Sequence, residues 1–228
     1  MKIARLSGLM MIAILAVSLM AASAAFAEPL FTPVSGQTLT ATSGTVTFVA
    51  NAGLNTVECA KSVTLGGKVD SPTLVGGIVV HFLECTAKES PNKECSAKSK
   101  GAPAGNLILW ETLHGVLGLI LPKLTGHTGV GLLLLPASGK TFVTLSTPCT
   151  SPATSAVSGN VVGEAEPVGH SQTTGKLRFG SGSNGSASVK DFELSTGGTL
   201  KPKLEAYTSE AGEVVESSVT FGTPTEVT

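Results

Sequence analysis

Three glutamates, Glu58, Glu84 and Glu111, lie within or at the ends of apolar, strand-like runs, where a carboxylate could serve as general acid, base or nucleophile. Glycoside hydrolysis needs two such groups on either side of a bond, and they can come from distant parts of a chain. Glu58 and Glu84 each precede a cysteine, so a bridge between Cys59 and Cys85 would bring them near each other. Solvated charges at strand edges account for the same three residues without any chemistry.

The remaining reactive side chains fit known catalytic patterns less well. His81, His114, His127 and His170 show neither the H-x-H nor the H-E-x-x-H spacing that sets two imidazoles on one face. His81 interrupts the apolar run LVGGIVVHFLEC, where a strand histidine bonded to a backbone carbonyl or water needs nothing unusual. A Ser-His-Asp triad requires an aspartate to orient the histidine, and only Asp70 and Asp191 exist, both in polar, turn-adjacent sequence. The Gly-Ser cluster at 180–186 lacks the G-x-S-x-G spacing of a nucleophile elbow. No catalytic, metal-binding or cofactor-binding residue is assigned.

Cys59, Cys85, Cys95 and Cys149 have no C-x-x-C spacing and read as two disulfides, for which three pairings exist. The pairing 59–85 with 95–149 is favoured because Cys59 and Cys85 each end a strand-like run. Cys95 then pins the polar loop ESPNKEC.

The first residues set the compartment. Lys2 and Arg5 precede an uncharged apolar stretch, Leu9–Met20, and Ala25-Phe26-Ala27 supplies a small-x-small cleavage site. Residues 1–27 therefore read as a secretory signal peptide, and the mature chain is expected from residue 28 to 228, outside the cell or on its surface. Loss of Lys2 and Arg5 leaves thirteen basic against sixteen acidic residues, with Arg178 the sole arginine. Nucleic-acid binding, which relies on an Arg-rich basic patch with interleaved aromatics, is not expected.

From Gln37 onward, short alternating runs are separated by Gly, Ser, Thr, Pro or Asn. In Thr45–Ala50, Val46, Phe48 and Ala50 share one face, and in Ser62–Val69, Val63, Leu65 and Val69 are expected inward. Gly175, Leu177 and Phe179 alternate with Lys176 and Arg178, as Val215, Val219 and Phe221 do with Glu216, Ser218 and Thr220. The fold class is all-β: an antiparallel β-sandwich or barrel of roughly a dozen strands with two disulfides. Residues 28–228 read as one domain, with a loop and possible internal boundary at 147–158. In the longest run, Leu74–Cys85, Ile78, Val80 and Phe82 face one way and Val79, Leu83 and Cys85 the other. Both faces are apolar, so a central strand covered on both sides is expected, with His81 buried or nearly so.

Residues 105–136 carry three apolar clusters, Leu107–Trp110, Val116–Leu121 and Leu132–Leu135. Glu111, His114, Pro122, Lys123 and His127 interrupt them, and no piece approaches the roughly 20 apolar residues of a spanning helix. Three buried strands are expected there rather than a membrane-associated hairpin.

The order of short motifs, running from L-T-x-x-x-G-T-V-T at Leu39–Thr47 through V-x-F-x-x-C at Val80–Cys85 to G-N-V-V-G at Gly159–Gly163, resembles that of a family of uncharacterised secreted proteins of soil actinobacteria. It comprises L-T-x-x-x-G-T-V-T at Leu39–Thr47, V-x-C at Val57–Cys59, G-x-V-x-x-P-T-L at Gly67–Leu74 and V-x-F-x-x-C at Val80–Cys85. After Cys95 come A-G-x-L at Ala104–Leu107, G-x-L-G at Gly115–Gly118, G-V-G-L-x-L-x-P at Gly129–Pro136 and G-N-V-V-G at Gly159–Gly163. The resemblance implies export and a β fold, and it brings no activity. The expected function is that of a secreted or cell-envelope β-protein with a structural or binding role and an unidentified extracellular ligand or partner. A secreted, glycan-directed hydrolase is the alternative.

Overall fold

The computed structural model describes residues 28–33, 36–50, 54–89, 93–109, 111–122, 127–147, 149, 153–180, 188–207 and 209–228. The proposed signal peptide, Trp110 and most of the Gly-Ser cluster at 180–186 lie outside them. The described residues contain no helix.

The strands join end to end into eight long staves. After a two-residue β1 (Phe31–Thr32), the first stave is β2 (Leu39–Ser43) continued by β3 (Val46–Ala50), and the second is β4 (Asn55–Leu65). A short β5 (Lys68–Ser71) turns back into β6 (Leu74–Glu89), the third stave. The fourth is assembled from β7 (Lys93–Ser96), β8 (Lys98–Ser99), β9 (Leu107–Ile108) and β10 (Leu113–Leu121). The fifth is β11 (Val130–Pro136) with β12 (Thr141–Thr147), and the sixth β13 (Ala153–Gly159) with β14 (Val161–Glu166). The seventh begins as β15 (Gln172–Phe179), is interrupted by an insertion carrying β16 (Asp191–Leu194) and β17 (Thr199–Leu200), and resumes as β18 (Leu204–Ala206). The eighth is β19 (Ser209–Val227).

Every stave pairs antiparallel with the next, and the ring closes. β4 runs against β6 from Asn55↔Glu89 to Leu65↔Val79, and β10 against β11 from Leu113↔Pro136 to Leu119↔Val130. β19 meets β2 from Ser217↔Ser43 to Phe221↔Leu39 and β3 from Ala211↔Ala50 to Val214↔Thr47. The result is an up-and-down antiparallel barrel, so the sequence-level choice between sandwich and barrel resolves to the barrel. Eight staves enclose an interior just wide enough for side chains or for one small ligand.

Alternation holds where it was expected on β15 and β19, whose Phe179, Val215, Val219 and Phe221 are buried. It slips on β4 and β6. The ladder passes from Cys59↔Cys85 to Lys61↔Leu83, leaving Ala60 and Glu84 out, and Glu84 adopts φ 58°. One unpaired residue flips every later side chain to the other face. Cys85 therefore faces inward with Ile78, Val80 and Phe82, not outward with Leu83. On β4, Ser62 is buried and Leu65 is 48% exposed, the reverse of the expected Val63 and Leu65 inward. The outer face of β6 is uncovered, so His81 is half-buried rather than buried. Within the expected loop at 147–158, residues 153–158 belong to β13, where Thr, Ser and Ala residues alternate against β12, while 148 and 150–152 lie outside the described residues.

Both disulfides have the expected pairing, Cys59–Cys85 and Cys95–Cys149. They close loops of 26 and 54 residues, a constraint on the unfolded chain of roughly 3–4 kcal/mol each. Such bonds persist in oxidising, extracellular surroundings.

The three apolar clusters of 105–136 fall on β9, β10 and β11. Leu132 and Leu134 face the interior, whereas Leu133 faces out and is buried beneath the insertion, with Val162 and Phe192. Leu135, Ile120, Leu194 and Leu200 pack around this second, outer core. Gly118 and Gly131 pair across the wall and seat the Phe192 ring: a Cβ at Gly118 would lie 2.6 Å from it. No helix among the described residues is long and apolar enough to cross a membrane.

Candidate functional site: the barrel interior

The inward faces of all eight staves leave a cavity of about 120 Å³. Its walls are mainly aliphatic and aromatic, with Leu39, Phe48, Ile78, Phe82, Leu132, Leu134, Phe142 and Leu177 among them. The Phe48 and Phe82 rings meet edge to face with centroids 5.0 Å apart. Asn55, Ser62, Thr64, Tyr207 and Ser217 interrupt this lining, and Ser62 and Tyr207 have side-chain partners. Ser62 Oγ lies 2.8 Å from Ser43 Oγ, and Tyr207 Oη lies 3.1 Å from Thr147 Oγ1. Ser155 Oγ accepts from the Tyr207 backbone N–H at 2.6 Å.

Glu213 differs from these. It is the one carboxylate among the lining residues, opposite Phe48 in the ladder to β3. Protein surrounds it closely, while part of its surface remains open to the cavity. No hydrogen bond or ion pair engages it among the described residues. Burial alone pushes its carboxyl up to about 7, because removing water penalises the charged form.

A second carboxylate with an unusual setting, Glu164 on β14, belongs to the outer surface. Its Oε2 lies 2.6 Å from His127 Nδ1, and its Oε1 accepts from the Thr128 backbone N–H at 2.7 Å and from Thr128 Oγ1 at 3.2 Å. Partial burial raises its pKa, but the bonds from His127 and Thr128 outweigh that and hold it below the usual carboxylate range. The group latches the chain before β11 onto β14.

Glu58 pairs with Thr86, two residues from Glu84, and none of Glu58, Glu84 and Glu111 is among the cavity-lining residues. Glu84 faces Lys61 at 3.6 Å, Glu58 faces Lys88 at 3.6 Å, and Glu111 accepts from Ser138 Oγ at 3.3 Å, all on the exposed outer face. Their surroundings are those of solvated surface charges. Among the described residues, no group of three or more His, Cys, Asp and Glu is placed to hold a metal ion. Glu213 was missed because E-V-V-E in β19 reads as a polar-to-apolar transition. Its only signal was phase, since it shares parity with Ala211, Val215 and Val219.

Comparison with protein-family models, with curated proteins and with solved structures finds no match to this chain.

Proposed function

We propose that this protein is an exported binding protein that holds one small, uncharged, largely apolar molecule inside its barrel. The observation that carries the reading is the interior cavity of about 120 Å³ with its aliphatic and aromatic walls. A dry cavity of about 150 Å³ lined by Leu, Ile and Phe takes up benzene, so the size fits a single ring or a short branched chain. The leader sequence and the two disulfides support a role outside the cell. Glycan hydrolysis by a carboxylate pair has no such support, because Glu213 stands alone in the cavity while Glu58, Glu84 and Glu111 are committed to the surface.

Titration of the purified protein with benzene, followed by heteronuclear NMR, tests the reading. Saturable shifts confined to cavity residues such as Ile78, Leu132 and Leu177 are expected. Uniform small shifts without saturation up to the solubility of benzene would overturn it.

A further inference from the structure

The seventh stave is interrupted, and the interruption leaves Glu213 at a gap in the strand pairing of the described residues. β15 pairs with β19 as far as Phe179↔Val215, and β18 takes over only at Leu204↔Ala211. Between them Gly212, Glu213 and Val214 pair only with β3 among the described residues. On the opposite edge, pairing with β18 stops at Gly159 and pairing with β15 starts at Glu164, so among the described residues Val161 and Val162 pair only with β11. A shallow groove lined by Ser188, Val189 and Pro202 of the insertion lies beside this stretch. Val161, Leu204, Ala211, Gly212 and Glu213 line both the groove and the interior cavity.

With burial raising its pKa to about 7, the carboxyl carries an O–H donor below that pH, and the described residues supply no acceptor for it. Buried donors without acceptors are rare and costly, so the missing acceptor is informative. Charged groups stay away from it. Glu210 and Glu216 on its own strand face outward, and Lys203 pairs with Glu205 at 2.5 Å beside β18. Arg178 on β15 pairs with Glu166 and Glu216, Glu164 on β14 is held by His127 and Thr128, and Lys190 of the insertion is exposed. β3 contributes no charge.

We propose that the ligand carries one uncharged carbonyl oxygen, which accepts a hydrogen bond from the protonated Glu213 carboxyl while the hydrocarbon body fills the cavity. This rests on the cavity-binding reading above. A ligand amine is disfavoured, since pairing it with Glu213 would form an ion pair in apolar surroundings where desolvation offsets the attraction.

Cyclohexanone, benzene and cyclohexylamine, titrated into the wild type and into Glu213→Leu and Glu213→Gln, decide the matter. Glu213→Leu, its fold checked by the dispersion of the NMR spectrum, is expected to lower the ratio of cyclohexanone to benzene affinity about 10-fold. Glu213→Gln keeps a donor and is expected to retain cyclohexanone binding. Wild-type affinity for cyclohexanone falls as pH rises through the Glu213 titration, and in Glu213→Gln it does not. If Glu213→Leu leaves cyclohexanone unchanged, or weakens both probes alike, or if cyclohexylamine binds tighter than cyclohexanone, the carbonyl assignment is overturned and cavity binding survives. If neither benzene nor cyclohexanone binds, both readings fall.

Discussion

The protein has two apolar spaces separated by one β wall, and they are finished differently. Outside the wall of β10, β11 and β14, the insertion drops Phe192 onto the Gly118–Gly131 pair, and the ring is fully buried. Inside the same wall, eight staves of apolar side chains stop short of filling the volume, and a lone carboxyl faces what remains. Glycine was placed where a side chain had to enter. No comparable filler occupies the interior, although adding methyl groups there would be a short mutational step. An outer core of this kind serves packing, whereas the open inner space beside Glu213 is the ligand site on the reading proposed above.

The comparison is broken most severely at Phe192. Phe192→Ala is expected to cost about 3–5 kcal/mol, read from urea unfolding, because both glycines are left facing an empty seat. A loss below 1 kcal/mol would mean that the insertion does not contribute an outer core.

Glu213 comes next and acts through pH. Its carboxyl binds its proton more tightly in the folded chain than at the ordinary value of 4.5, with a folded pKa of about 7. Between those two values the native state therefore holds more protons than the unfolded one, and stability falls as pH rises. A decline of about 3 kcal/mol across that window follows, and Glu213→Gln is expected to flatten it. Unfolding free energies that do not change between pH 4.5 and 8 in the wild type would contradict the burial of this group.

Glu164 provides the opposite sign on the outer face. Its folded pKa lies below the ordinary value, so its contribution is present above about 4.5 and is lost as pH falls through the lowered pKa. Glu164→Gln is expected to cost about 1–2 kcal/mol at pH 7. Chemical shifts of Thr128 should move with it while those of the cavity residues stay in place.

The smallest stability effect is expected from filling the interior. Ala41→Val adds two methyl groups at the cavity wall and should change stability by less than about 1 kcal/mol, yet weaken benzene binding measurably. An unchanged benzene affinity would place the ligand elsewhere in the interior.

The all-β class, the strand-rich middle segment and both disulfide pairs were legible in the chain. Each depends on local pattern: period-two alternation on β15 and β19, turn residues at regular intervals, and cysteines at the ends of apolar runs. Phase was not legible. The unpaired Ala60 and Glu84 invert the second half of the pairing between β4 and β6, and no local preference announces such an irregularity. For the same reason Ser62 seemed an outer residue and Leu65 a core one.

The double-sided leucines of β11 show the limit from another side. Sequence required that both faces be covered, but it did not say by what. One cover proved to be the barrel interior and the other the Phe192 insertion, more than 50 residues away. Closure of the ring through β19 and β2 is likewise a pairing between chain ends, and short-range pattern does not encode it. Alternation and cysteine position thus determined by themselves that this would be a disulfide-tied β protein. Closure, phase and the interrupted seventh stave, all set by long-range pairing, decided that it would enclose a cavity with Glu213 at its wall.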